Sequence, residues 1–558
     1  MSSLGVVASG AAADAIASRV GELVEAQFAS KLFAQDATLW GPDAESESAI
    51  RLSWVNLPRS SRPLLGEVAA LREQLKGEGV DRVVLCGMGG SSLAPEVICA
   101  TAGVDLVVLD SSQPDMVRAA ITDLDRTVVV VSSKSGSTVE TDSQRRAFQA
   151  AFSEAGIDPT ARIVIVTDPG SPLDEESRAG GYRVINADPN VGGRYSALTA
   201  FGLVPSGLAG ADIEALLDDA ESVWDVLSAD DDGNPGLRLG AAMAGTDPLR
   251  DKLVIVDDGS GIVGFADWAE QLIAESTGKL GTGVLPVVVG GDSDPEVRWP
   301  AADVTIARLV GDDDSDDDLG GLGAGPDGTA DGSRSEVAVS GSLGAQLLLW
   351  EVATAAAGRL LGINPFDQPD VESAKKAARA LLEKGIGESE APAATDGAVE
   401  IRSLGGDWLG AASTTADALA ALFAQLDPEH GYVAVMAYLD RVTDAPLADV
   451  RPGLARHTER PTTFGWGPRF LHSTGQFHKG GPATGVYLQV TTAPHEDLAI
   501  PGREFTFGDF ITSQAAGDAQ VLAEHGRPVL QLHLTDHDAG LAQLTRALTD
   551  LSPAKGDA

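Results

Sequence analysis

The stretch SSKSGSTVET, residues 132–141, concentrates more chemistry than any other part of this chain. Ser132, Ser133, Ser135, Ser137 and Thr138 crowd their hydroxyls around one lysine, Lys134. The run before it, RTVVVV, is β-branched and apolar and reads as a buried strand. Hydroxyls and main-chain N–H groups at the start of a helix form a cage for a phosphate, because the donors and the dipole favour negative charge. Capping a helix takes one hydroxyl or two, so the phosphate cage is preferred to a merely polar turn.

Four further groupings have chemical potential. GMGGSS, 87–92, lies where a strand turns into a helix, and Asp110 ends the next strand. That resembles a dinucleotide fingerprint, but Ser92 stands where the third glycine belongs, so a glycine turn admitting a small ligand fits better. NVGGRYS, 190–196, puts Arg194 after two glycines, where it could stabilise an oxyanion or tie down a loop through carboxylates. WAEQLIAESTGK, 268–279, sets Gln271 and Glu275 one helical turn apart. A carboxyl near a helix C-terminus has its pKa raised, which suits a proton shuttle; a surface glutamate is the plainer reading. FDQPDVESAKK, 366–376, carries Gln368 and Lys375 two turns apart, and Lys375 alone reads as solvated.

Composition narrows the field. A formal charge of −42 argues against nucleic-acid or anionic-membrane surfaces, so any phosphate site must be locally basic. Cys86 and Cys99 give neither metal spacing nor a disulfide framework, which fits a reducing compartment. The apolar run at 343–363 is broken by Glu351 and Arg359, and the N-terminus lacks a basic n-region. The expectation is a cytoplasmic protein.

These groups need elements to hold them. Residues 11–33 have helical apolar spacing. From 81 onward strands alternate with helices, the pattern of a parallel doubly wound sheet, and KLVIVDDG at 252–259 restarts it. The acidic, Gly-rich segment at about 311–335 reads as a solvated loop, followed by a long helix near 339–361. APAATDG, near 391–397, reads as a linker, and strands at YVAVMAYLD, GVYLQVT and PVLQLHL suit a last α/β unit. The expected fold is α/β with an N-terminal helical region (1–80), two doubly wound units (81–210 and 211–390) and a C-terminal α/β domain (391–558).

Taken together and in this order, GMGGSS, SKSGSTVET, VGGRYS, QLIAESTGK and NPFDQPDVESAK resemble the motifs of phosphoglucose isomerases. DATLWGPDAESESAIRLSWV and FGWGPRFLHSTGQFHKGGPATG resemble the isomerase half of bifunctional transaldolase–phosphoglucose isomerase chains. The resemblance implies two sugar-isomerase (SIS) domains, a hexose 6-phosphate substrate, a homodimer with shared sites, and no metal or organic cofactor for the reaction. It places the phosphate on Ser91, Ser133, Lys134, Ser135 and Thr138, and makes Glu275 the base with Gln271 beside the substrate. Arg194 and the Gly193 backbone match residues around the enediolate; Gln368 binds substrate and Lys375 lies near the ring oxygen. The family's ring-opening histidine normally follows the glutamate by tens of residues, yet this chain has none before His430. RFLHSTGQFHKGG, 469–481, offers His472 and His478 in its place, either as a loop folding over the sugar site of its own or a neighbouring subunit or as a surface loop with two solvated histidines. A sugar-phosphate-binding regulator without catalysis and, less favoured, an NAD-dependent Rossmann oxidoreductase are the other classes in view.

Overall fold

The computed structural model describes residues 4–311, 334–384 and 391–551. The expected acidic loop falls, from 312 to 333, outside the described residues.

Among the described residues the strands form three sheets. The N-terminal region is not wholly helical: β1 (Gly5–Gly10) precedes helices Ala11–Glu25 and Phe28–Phe33. β2 (Arg82–Cys86), β3 (Val107–Leu109), β4 (Thr127–Ser132), β5 (Ile163–Thr167) and β6 (Arg183–Asn186) make the first sheet. Its order is β3-β2-β4-β5-β6, and every pairing is parallel. All six residues of β4 are buried, as befits a central strand covered on both faces.

β7 (Lys252–Asp258), β8 (Leu285–Val288), β9 (Val304–Val310) and β10 (Ser335–Ser340) build the second sheet with β1, in the order β1-β10-β9-β7-β8. It is not purely parallel, because β1 runs antiparallel to β10. β10 takes residues expected to be loop and helix, so the long helix starts only at Leu343.

The third sheet comprises β11 (Ala394–Asp396), β12 (Val399–Leu404), β13 (Tyr432–Tyr438), β14 (Thr462–Trp466), β15 (Gly485–Thr492) and β16 (Val529–Leu534). Its order is β11-β12-β16-β15-β13-β14, with β11 and β12 an antiparallel edge on a parallel body. β11 lies inside the segment expected to be a linker.

Alternation along β7 welds the units together. Leu253 and Ile255 enter a core shared with the first sheet and the N-terminal helices. Val254 and Val256 enter one shared with Tyr432, Met436 and Leu522 of the C-terminal unit. Helix Pro369–Lys384, which carries Lys375, packs on helix Phe507–Glu524. A Cβ at Gly517 would stand 2.8 Å from the Ala378 amide nitrogen, so the two helices meet at glycine distance.

Candidate active site

Glu275 projects from the last turn of helix Phe265–Thr277 and is 5% exposed. Burial pushes its carboxyl above the ordinary glutamate range, against the pull of Arg194, His472 and Lys375. Arg194 Nη1 reaches Glu275 Oε2 at 3.3 Å, and Gln271 Nε2 donates to the same oxygen at 3.4 Å. Gln271 and Glu275 thus share one helix face, as their spacing predicts.

Arg194 is saturated. Nη1 also donates to Gln368 Oε1 (2.8 Å), Nε to Ser276 Oγ (3.0 Å), and Nη2 to the carbonyls of Pro365 and Asp367 (both 2.9 Å). Of the two roles open to it, the geometry displays the tying one, with the guanidinium charge held beside Glu275. Lys279, buried one turn beyond Glu275, grips the same 364–367 segment through Asn364 O and Asp367. Burial and the neighbouring Arg194 push its ammonium down to about 8, against Asp367 and Glu275.

The glycine turn presses close to this cluster. Gly89 has φ +56°, and a Cβ there would stand 2.6 Å from Gln271 Nε2 and 3.1 Å from His472 Cβ. At Gly90 a Cβ would overlap the Gly193 carbonyl oxygen at 1.8 Å. Ser91 ends the short 3-10 turn Gly89–Ser91, and Gly193 begins the turn Gly193–Tyr195. Only glycine lets these two backbones meet.

The hydroxyl turn links β4 to helix Val139–Glu154. Thr138 occupies the N-cap but makes no side-chain capping bond, so its hydroxyl is not spent on the helix. Ser133 Oγ accepts from the Gly136 amide (3.2 Å), and Ser135 and Ser137 share a bond of 2.6 Å. Lys134 departs from the expectation. Its ammonium pairs with Asp168 (2.7 Å) and the Pro189 carbonyl (3.0 Å), because the turn aims its side chain toward β5 and β6.

A cavity of about 180 Å³ opens beside this turn, lined by Ser137, Thr138, Glu140, Lys375, Arg379 and His472 among others. Lys375 faces a cavity here, where its sequence context alone reads as solvated. His472 comes from the C-terminal unit, and its Nε2 lies 3.3 Å from Glu140 Oε1. Glu140 also accepts from Gln514 Nε2 (2.7 Å). Burial works to raise the Glu140 carboxyl, but the His472 bond and the His472 and Lys375 charges outweigh it and hold it below the usual range.

His478 does not reach the site. Its ring is buried between the second and third sheets, stacked on Tyr432, with Nδ1 3.0 Å from the Tyr432 hydroxyl. Burial, reinforced by Lys479 and Arg527, pushes its pKa well below the ordinary histidine value. The expectation that both histidines overhang the sugar is corrected to His472 alone. The physical reason is packing: helix Gly475–Gly480 is buried along nearly its whole length, and the Tyr432 ring and hydroxyl hold His478 in that core.

Glu140, Gln514, Arg379 and Lys279 escape the sequence reading. Glu140 carries a faint signal, an acid in the first turn of the helix after the hydroxyl turn, which reads equally as a dipole partner. Asp110 answers the dinucleotide question. It is fully buried and bound by Arg469 Nη1, with Arg441 Nε 3.3 Å away, so its carboxylate has no room for a ribose. The same two arginines hold Glu96, and Ser473 bonds Glu270, seating the turn that bears His472.

Fold and site together define a doubly wound α/β protein of the sugar-isomerase type, with a buried glutamate clamped by an arginine and a glutamine. No family model matches the chain. Relatives named probable glucose-6-phosphate isomerase do: that of Natronomonas pharaonis is 32% identical over 363 residues, 59% of this chain and 85% of the relative. That of Haloarcula marismortui is 32% identical over 340 residues, 54% of this chain and 78% of its own. Among solved structures, a hypothetical protein of Thermus thermophilus superposes with a TM-score of 0.56 at 25% identity, covering 68% of this chain and all of that one. A glucose-6-phosphate isomerase of Chlamydia trachomatis shares the fold at TM-score 0.54 and 21% identity, over 66% of this chain and 86% of its own. The chain belongs to the glucose-6-phosphate isomerase family. No helix among the described residues is long and apolar enough to cross a membrane.

Proposed function

We propose that this chain interconverts glucose 6-phosphate and fructose 6-phosphate through a cis-enediolate, with Glu275 as the base. The observation that carries the reading is the buried Glu275, clamped by Arg194 and Gln271 and influenced by the charges of His472 and Lys375. The phosphate sits on the turn formed by Ser133, Lys134, Ser135 and Thr138, with Ser91 nearby. Lys134 serves it through the main chain, since its ammonium is engaged by Asp168. His472, oriented by ionised Glu140, protonates the ring oxygen with Lys375 beside it, and the ring opens. Glu275 then moves the proton between C2 and C1. Arg194 supplies a fixed positive charge where the enediolate oxygen develops, a preorganised charge that needs no rearrangement. Gln368 and the Gly193 backbone border the sugar.

The reading includes a cytoplasmic homodimer without nucleic-acid partners. Both cysteines are buried and unpaired, which suits a reducing compartment. The contact of His472 with Glu140 of the same chain supports a reading in which each protomer furnishes its own acid. The test is a coupled assay of purified protein with fructose 6-phosphate and glucose-6-phosphate dehydrogenase. Sustained NADPH formation is expected. Tight sugar-phosphate binding without turnover would replace the isomerase by a regulator.

A further inference from the structure

Away from the sugar site, three adjacent parallel strands of the third sheet deliver a second cluster of chemistry-bearing side chains. Asp444 follows β13, His495 follows β15, and His537 with Asp538 follows β16. All lie beyond the carboxyl ends of these strands, where open α/β sheets bind their ligands. One donor atom each from His495, His537 and Asp538 falls within 4.8 Å of the others. The imidazole rings of His495 and His537 are 5.0 Å apart between centroids.

The arrangement around His537 is directional. Its Nε2 lies 3.1 Å from Asp444, whose side chain is 4% exposed and also accepts from the Asp440 amide at 3.1 Å. Its Nδ1 faces Asp538 Oδ1 at 2.9 Å. Asp444, a buried carboxylate on Nε2, orients the ring, and a cation would take the place of the proton that Nδ1 shares with Asp538, the arrangement that supports histidines on metals.

We propose that His495, His537 and Asp538 bind one divalent cation of zinc type, with Asp444 as the carboxylate that orients His537. Two imidazoles and a carboxylate suit Zn²⁺ better than Mg²⁺ or Ca²⁺, which favour all-oxygen shells. Zinc–ligand distances of about 2.0–2.2 Å put tetrahedral donors about 3.4 Å apart, so closure needs Asp538 to open slightly from its 2.9 Å contact with His537 and the exposed His495 to adjust. The positive end of helix His537–Thr549 opposes a cation, but its N-cap Asp536 and first-turn Asp538 offset that.

The cation would fasten two segments of the C-terminal unit to each other. His495 belongs to a segment held by the first sheet's helix Pro114–Ala120, through Arg118 Nη2 to the Glu496 carbonyl (2.9 Å). His537 and Asp538 belong to the last helix of the C-terminal unit. Zinc bridging them ties the segment after β15, and with it the Arg118 contact, to the last helix, and by mass action stabilises the folded chain.

The test uses the full chain, stripped with a chelator and titrated with Zn²⁺ by calorimetry. One site is expected in the wild type, accompanied by a rise in Tm. The H495Q/H537Q double variant should lose that site and the Tm rise, while its circular dichroism stays that of the wild type. If H537Q fails to fold, H495Q alone, in an exposed segment, carries the test. D444N keeps all three ligands and should bind about 10–100-fold more weakly. Equal zinc affinity and stoichiometry in wild type and H495Q, or no binding by the wild type, would overturn the proposal.

Discussion

Glu275 and His472, the two groups to which the proposed mechanism gives the proton transfers, are held in opposite ways. Glu275 stands on a buried helix of thirteen residues; Gln271 of the same helix donates to it, and Arg194, itself bonded to Ser276 of that helix, reaches it at 3.3 Å. His472 stands on a four-residue 3-10 turn. That turn is seated by ion pairs from Arg469 to Glu96 and Asp110, more than 350 residues earlier in the chain. The position of Glu275 is therefore set by local helix geometry and then clamped by Arg194. The acid is fixed only when a separate unit docks. Rigid local placement resists single changes, whereas a docked turn fails when either surface is disturbed.

The largest effect should follow from removing the base. Glu275→Gln keeps shape and hydrogen bonding, and turnover should fall at least about 10²–10⁴-fold. Binding of a sugar-phosphate analogue should stay within a few-fold. A variant keeping a tenth of wild-type turnover would shift the base elsewhere and dissolve the contrast drawn above.

Next in size is the acid. His472→Gln should slow turnover of the cyclic sugar about 10²-fold while sparing proton exchange at C2 of an acyclic analogue. Glu140→Gln should reproduce that selective loss, since it removes the carboxylate that orients the ring. His478→Gln sharpens the comparison: it should lower Tm through the Tyr432 contact and leave the cyclic-to-acyclic ratio alone. Equal losses on both substrates for His472→Gln would remove it from ring opening.

The hydroxyl turn should act on binding. Ser133→Ala, Ser135→Ala and Thr138→Ala should each weaken fructose 6-phosphate affinity by about 1.5–3 kcal/mol, with kcat little changed. Wild-type affinity in the triple variant would move the phosphate to another surface.

The acid limb of the kcat/KM profile should lie above 4.5, because buried Glu275 must be ionised to act and burial raises its pKa. A limb at or below that value would mean that another group titrates.

The smallest effect is on stability. In the folded state Glu275 keeps its proton above pH 4.5, where the unfolded chain has lost it, so folding weakens as pH climbs from 4.5 to the raised value. Glu275→Gln lacks this decline. Its Tm should exceed the wild-type value at neutral pH, with the difference closing toward pH 4.5. A constant difference at all pH values would contradict burial as the cause.

Legibility in the sequence followed the range of the interactions. β4, β7, β13 and helix Phe265–Thr277 announce themselves because their apolar periodicity is written within a few residues. β1 and β10 do not, since their ladder joins Gly5 to Ser340 and its reward is visible only once both are folded. The helix spacing of Gln271 and Glu275 could be read directly. The partnership of Glu140 with His472 could not, because it spans 332 positions and neither residue carries a local mark of it.

By itself, then, the sequence determined the elements with a short-range period, the hydroxyl turn after β4, and the glycines that let backbones approach. Tertiary structure decided where the long side chains went. Lys134 turned to Asp168, Arg194 saturated itself on the 365–368 segment, and His478 sank into a core while His472 met Glu140. The physical reason is reach. A backbone period is set by bonds between neighbours, but a charged side chain of several rotatable bonds settles on the partner that best repays its desolvation, and that partner is brought near only by the fold.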